Sequence, residues 1–117
     1  PAAYRDLGQP VIVPGDMVTA SWLLLGTTTA MERSFGSTAH GAGRVLSRAA
    51  ALKRQHGAQV AQRLGEMGIL VRSAGKKTLA EEAPEAYKDV DRVVAVCAGA
   101  GISHPVARMT PIAVIKG

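Results

Sequence analysis

Thr19-Ala20-Ser21-Trp22-Leu23-Leu24-Leu25-Gly26-Thr27 is the stretch whose reading settles the fold class. Its β-branched and apolar residues, with no polar alternation, predict a strand buried on both faces. Just upstream, Val11-Ile12-Val13 predicts another short strand, and Pro14-Gly15 the turn after it. No helical pattern separates the two. Downstream, Thr28 to Gly43 shows no clear period and gathers glycine and serine near His40, which predicts a loop. Ser47 to Gln55 then predicts a helix. Gly57 breaks it, and a second helix runs from Ala58 to Met67 with Val60, Leu64 and Met67 as its apolar stripe and Gly68 as its C-cap. Ile69-Leu70-Val71 predicts a strand, and Lys76-Lys77 a turn. Thr78-Leu79-Ala80-Glu81 matches a capping box on a short helix that must stop before Pro84. Asp89 can cap a further helix striped by Val90, Val93, Val94 and Cys97 and ended by Gly99-Ala100-Gly101. Val106 to Ile115 predicts a last strand, broken by Pro111. Strands and helices that do not strictly alternate imply an α+β fold, a mixed sheet with packed helices.

A chain of 117 residues gives room for one modest domain. Lysine and arginine number 14 against 9 acidic residues, a net charge of +5. That surplus suits polyanion partners, and it equally suits a plain soluble surface. Aromatic residues make up only 3%, which excludes a base-stacking platform, so any nucleic acid would be held mainly by its phosphates. The single Cys97 excludes an internal disulfide and fits a reducing, cytoplasmic setting. No apolar run approaches membrane-spanning length. Pro1 and Lys116-Gly117 read as cut or processed ends, or as natural ends buried in a larger body. Leu23 to Leu25 and Val93 to Val96 are expected to leave an apolar face uncovered.

The chemistry concentrates in Ser37-Thr38-Ala39-His40-Gly41-Ala42-Gly43-Arg44, with Ser47-Arg48 following. Gly41 and Gly43 let backbone approach a ligand closely. A helix beginning near Ala42 would aim its amides and dipole at the imidazole, with Arg44 and Arg48 on one face. A neutral imidazole is a good nucleophile toward phosphorus. Arginine forks can hold the oxygens that gain charge in such a displacement, in a way lysine cannot copy. The plain alternatives are a turn histidine and a solvated basic face. Asp16 and Ser21 could read a nucleotide edge, although capping or turn roles are the usual ones. Tyr87, in a break after Pro84, can point its hydroxyl into a cleft or simply pack. Lys116 emerges from an apolar strand and can be held in a site. His56, at a helix end where a cation is favoured, and His104, in a turn before Pro105, read as structural or surface residues. Cys97 reads as a buried, inert thiol. No Cys/His/Asp cluster has metal-ligand spacing.

The order of these residues resembles the C-terminal part of the RtcB RNA-splicing ligase family. The matching stretches begin with Pro14-Gly15-Asp16-Met17, Thr19-Ala20-Ser21 and the Ser37-to-Arg44 run with Ser47-Arg48. They continue with Glu82-Ala83-Pro84-Glu85-Ala86-Tyr87-Lys88-Asp89-Val90 and the terminal Pro111-Ile112-Ala113-Val114-Ile115-Lys116-Gly117. The resemblance implies a ligase dependent on GTP and Mn2+. Such an enzyme joins RNA ends bearing a 2′,3′-cyclic phosphate or 3′-phosphate to 5′-hydroxyl ends in tRNA splicing and RNA repair. It implies that His40 carries GMP on a ring nitrogen. Asp16, Ser21, Gly41, Ala42, Gly43, Tyr87 and Lys116 would then bind the nucleotide, and Arg44 and Arg48 the phosphates. Asp16 stands where some members have serine, and Trp22 where tyrosine is common. The family's Asp, Cys and His metal ligands lie upstream of anything in this sequence. Residues 1–117 are therefore expected to be one C-terminal segment, incomplete without the remainder of the ligase polypeptide, with tRNA halves or broken RNA as substrate. The alternatives are a nucleotide- or RNA-phosphate-binding module without covalent chemistry, and a structural piece that docks a partner.

Overall fold

A hairpin of β1 (Pro10–Pro14) and β2 (Ser21–Gly26) opens the first sheet, and β4 (Ser103–Met109) joins it on the far edge of β2. This computed structural model describes residues 2–117, so Pro1 lies outside the described residues. Both pairings are antiparallel. Pro10 faces Leu25 and Pro14 faces Ser21, while the β2–β4 register shifts between Leu23 and Leu24. The central strand is shorter than Thr19–Thr27, because Asp16 draws Thr19 into the preceding turn. Its Oδ1 accepts from the amides of Val18 at 2.8 Å and Thr19 at 2.9 Å, and its Oδ2 from the Thr19 hydroxyl at 2.8 Å. Leu24 is fully buried and its neighbours are half-buried, so the strand is not covered evenly on both faces.

The tail does not form one broken strand. The chain leaves the first sheet at Met109, passes Pro111, and re-enters as β5 (Ala113–Lys116), which pairs in parallel with β3 (Leu70–Ser73). Small separate sheets with helices packed on them make the fold α+β.

The helices α2 (Arg48–Arg54) and α3 (Gly57–Glu66) meet the expectation closely. Ser47 caps α2 through the Ala50 amide, and Gly57, Val60 and Leu64 are the buried face of α3. A Cβ on Gly57 would lie 1.9 Å from the Lys76 carbonyl oxygen, so the chains approach there as only glycine permits. α5 (Val90–Gly99) is capped by Asp89 and buries Val90, Val94 and Cys97.

Two helices depart from the expectation. α1 (Thr28–Ser34) occupies the start of the predicted loop; it buries only Ala30, so it leaves no apolar period to read. Thr27 fixes its start, accepting from the Ala30 amide while donating to the Gly101 carbonyl at 2.6 Å. α4 (Lys76–Glu81) begins at the lysines predicted to form a turn. Thr78 is therefore inside the helix and makes no capping box. Glu81 instead faces Lys77, one helical turn back, at 3.8 Å.

Two apolar clusters result. One joins Met17, Val60, Leu64, Ile69, Leu79, Ala83 and Val114; the other joins Val13, Ala20, Leu24, Ala42, Val90 and Val94. The turn after β1 sends Met17 into the first and Ala20 into the second, so it bridges the two. The uncovered apolar surface is not centred on Leu23–Leu25. Val96 is exposed as expected, but the larger patch is Leu70, Ile112 and Ile115 on and beside the parallel pair. No helix among the described residues is long and apolar enough to cross a membrane.

Candidate functional site

Where the bridging turn faces β5, a cavity of about 290 Å³ opens. Asp16 and Ser21 line one wall and Ala113 to Lys116 the other, with Glu82 and Tyr87 between them. Four of the residues expected to bind a nucleotide, Asp16, Ser21, Tyr87 and Lys116, thus meet in one place, drawn from three separate parts of the chain. Gly15 permits the turn: a Cβ there would fall 2.3 Å from the Ala20 carbonyl oxygen and 2.9 Å from Val90. Asp16 has both carboxylate oxygens engaged within the turn, so it shapes the wall.

Arg44 and Arg48 do not line the cavity; they contact its wall residues Glu82 and Tyr87, by a route the sequence did not suggest. No helix opens near Ala42. Gly43 takes a φ of +78°, which turns the chain, and α2 starts only at Arg48. The segment runs beside the residues after Pro84, where a 3-10 turn (Pro84–Ala86) precedes Tyr87. The Val45 amide donates to the Ala86 carbonyl at 2.8 Å and the Lys88 amide to the Gly43 carbonyl at 2.9 Å; Arg44 and Tyr87 form an antiparallel bridge between them. The Arg44 guanidinium lies 4.8 Å from the centre of the Tyr87 ring. It donates to the carbonyls of Leu46 at 3.0 Å and Glu81 at 2.6 Å, to the Tyr87 hydroxyl at 3.0 Å and to Glu82 Oε1 at 3.2 Å. Four of its five N–H groups are thereby engaged. Arg48 has its Nε 3.7 Å from the same Glu82 oxygen and stays largely exposed. The two arginines therefore converge on a carboxylate and do not share a helix face.

Glu82 opens the matching stretch Glu82–Val90, but its position in sequence suggests no role. It sits at the centre of the site. Its Oε2 accepts from the Tyr87 hydroxyl and lies 3.7 Å from the Lys116 ammonium. Burial raises the Glu82 carboxyl pKa, but the Tyr87 hydroxyl and the charges of Lys116, Arg44 and Arg48 outweigh it, and the net displacement is downward. Burial and the carboxylate together raise the Tyr87 phenol above its ordinary value, against a smaller opposing effect of Arg44. The signal in sequence was a paired Glu81-Glu82 just before Pro84. Only the end of α4 shows which of the two turns inward.

His40 is exposed and lines none of the four cavities described. Its loop is nonetheless tied to the cleft. The Ala42 amide donates to the Pro14 carbonyl at 2.9 Å, Ala42 is buried, and Gly41 packs against Pro14, itself a cavity-lining residue.

The other histidines lie apart. His56 directly follows the C-cap of α2, as expected, and is at the same time the N-cap of α3. His104 is an exposed residue of β4 rather than part of a turn. Cys97 is a buried free thiol. Among the described residues, no group of three or more His, Cys, Asp or Glu side chains is arranged to hold a metal ion.

A family model described as tRNA-splicing ligase RtcB matches residues 1–117. The tRNA-splicing ligase RtcB of Methanocaldococcus jannaschii is 61% identical over 117 residues, that of Methanococcus maripaludis 56% and that of Pyrococcus horikoshii 57%. Each alignment covers 100% of this chain, which spans 12%, 24% and 13% of those relatives.

Proposed function

The chain belongs to the RtcB tRNA-splicing ligase family, and on that footing we propose that it is the C-terminal, nucleotide-accepting segment of a GTP-dependent RNA ligase. Residues 1–117 form one segment whose remaining parts, including the ligands for Mn2+, belong to the rest of the ligase polypeptide. The described residues do not themselves assemble a set of three such ligands.

In this reading GTP enters the cleft with its base between Ser21, Tyr87 and Lys116, while Asp16 shapes the turn beside it. Its phosphates extend toward Arg48 and the loop from Gly41 to Gly43. An imidazole nitrogen of His40 attacks the α-phosphorus. The N–P bond forms, the bond to the bridging oxygen breaks, pyrophosphate leaves, and the other ring nitrogen gives up its proton. An oxygen of the RNA 3′-phosphate then displaces the imidazole and takes over the GMP. The RNA 5′-hydroxyl attacks the 3′-phosphorus, loses its proton and expels GMP, leaving a phosphodiester. A 2′,3′-cyclic phosphate must first be opened by water. The substrates are tRNA halves or broken RNA in the cytoplasm.

The observation that carries this reading is the gathering of Ser21, Tyr87 and Lys116 around one cavity whose rim residue Pro14 anchors the His40 loop. Because Arg44 has one N–H left, Arg48 is the cation with donors to offer a phosphate, and Arg44 holds Tyr87 in place. The exposure of His40 outside the cavity favours a second reading, reversible nucleotide or RNA-phosphate binding without a covalent step. Incubating the full-length ligase with α-labelled GTP and Mn2+ separates the two. The covalent reading expects an acid-labile, base-stable adduct that disappears in His40→Ala. Reversible binding that survives His40→Ala, with no adduct in the parent, supports the second reading instead.

A further inference from the structure

Glu82 has two oxygens with different company. Oε1 accepts from Arg44 Nη1 and faces Arg48; Oε2 accepts from the Tyr87 hydroxyl and faces Lys116. We propose that Glu82 is a positioning residue that ties the base end of the cleft to its phosphate end. The assignment rests on the nucleotide-binding reading above. Its physical content is separate: one carboxylate fixes where three cations and a phenol sit before any anion arrives.

Without Glu82, Arg48 and Lys116 would lose their shared counter-charge and spread into solvent, while Arg44 would keep the Leu46 and Glu81 carbonyls but lose the carboxylate that balances its charge. Tyr87 would keep Arg44 as a donor but lose the acceptor that orients its hydroxyl. The carboxylate side chain is largely buried, at 17% exposure, so water replaces it poorly. A carboxylate beside a phosphate site also opposes anion binding by its charge. A site that keeps one there trades raw attraction for fixed geometry. This gives the assignment a signature that a merely structural role lacks: removing the charge should tighten binding of a featureless polyanion while weakening the productive reaction.

The test uses the full-length ligase that contains this chain, with inorganic triphosphate binding measured by calorimetry and adduct formation followed at saturating GTP. Glu82→Gln keeps the shape and loses the charge. It is expected to bind triphosphate several-fold more tightly and to form adduct about tenfold more slowly, the loss expected of one charge-assisted contact. Glu82→Asp keeps the charge and withdraws it by one methylene. It is expected to bind triphosphate as the parent does and still react more slowly, which covers the case in which Glu82→Gln fails to fold. Weaker triphosphate binding in Glu82→Gln, or a parental adduct rate in either variant, overturns the assignment. If the parent forms no adduct at all, the covalent reading falls, and the triphosphate affinities of the two variants still decide the role of Glu82.

Discussion

Replacing Arg44 by lysine keeps the charge and removes the fork, which makes it the sharpest probe of how the cleft is held. The guanidinium spreads its donors over three nitrogens, reaching Leu46 on one side, Glu81 on another, and Glu82 with Tyr87 between. An ammonium donates from a single atom. Placed to keep Glu82, it abandons the carbonyls of Leu46 and Glu81, and its contact with the Tyr87 ring changes. Two lost hydrogen bonds at about 1 kcal/mol each give roughly 2 kcal/mol. Arg44 is only 21% exposed, so water recovers little of that. The loss is local, because Arg44 clamps the segment from Gly43 to Leu46 against the one from Ala86 to Lys88. Amide hydrogen exchange of Val45 and Lys88 in the full-length protein reads it directly, since both amides donate across that seam. Protection should fall about thirtyfold in Arg44→Lys and further in Arg44→Ala. Parental protection in Arg44→Lys would show that charge alone holds the seam and would refute the fork argument.

Three other expectations rest on different measurements. The Glu82 carboxyl is displaced below its ordinary value of 4.5, so the stability it contributes is fully present above that pH and is lost as pH falls through the lower folded value. The gap in thermal midpoint between the parent and Glu82→Gln should therefore close on acidification below 4.5; a gap that widens there gives the wrong sign. Gly57→Ala forces a methyl against the Lys76 carbonyl, which a Cβ would approach to 1.9 Å, and should cost about 3 kcal/mol, seen as a lower thermal midpoint. An unchanged midpoint means that α3 and α4 do not approach so closely. Asp91 is held below its ordinary 3.8, first by the Arg108 guanidinium and then by the Trp22 indole N–H at 2.7 Å. Trp22→Phe should return its pKa part of the way, read from the carboxyl carbon in an NMR titration; an unmoved titration shows that the indole does not donate to it.

How far the sequence can be read depends on whether local signals and tertiary contacts agree. Ser47, Gly57 and Asp89 are local signals, and each stands where its helix begins. α1 had none. Its cap depends on the Gly101 carbonyl, 74 residues away, and Arg33 reaches the Ala100 carbonyl from its last turn. At Thr78 the local signal was real but outweighed, because the lysines before it join the helix. The tail misled for another reason: Val106 to Ile115 has strand character throughout, and only the pairing partners reveal two strands in two sheets. In the cleft, Tyr87 and Lys116 could be named from motif and position. Glu82 could not, because nothing local separates an inward carboxylate from the Glu81 beside it. The conditional helix start near Ala42 is closed off at Gly43, where the chain takes a positive φ.

The parallel pair connects the uncovered surface to the chemistry. Parallel strands are found almost only with both faces covered, yet Leu70, Ile112 and Ile115 on this pair are 73%, 82% and 83% exposed. Lone two-stranded elements are marginal in water, so β3 and β5 gain most from whatever packs on them. β5 also supplies a wall of the cavity, from Ala113 to Lys116. Ile115 both lines that wall and is exposed, while Val114 is buried in the first apolar cluster, so the strand borders the candidate nucleotide site, the core and open solvent at once. On the proposal that the remainder of the ligase polypeptide covers that face, its docking would fix β5. Fixing β5 would in turn fix Lys116 against Glu82, and through Glu82 the two arginines. Burial of an apolar strand face and alignment of the cations around Glu82 would then be one event, because a single four-residue strand carries both.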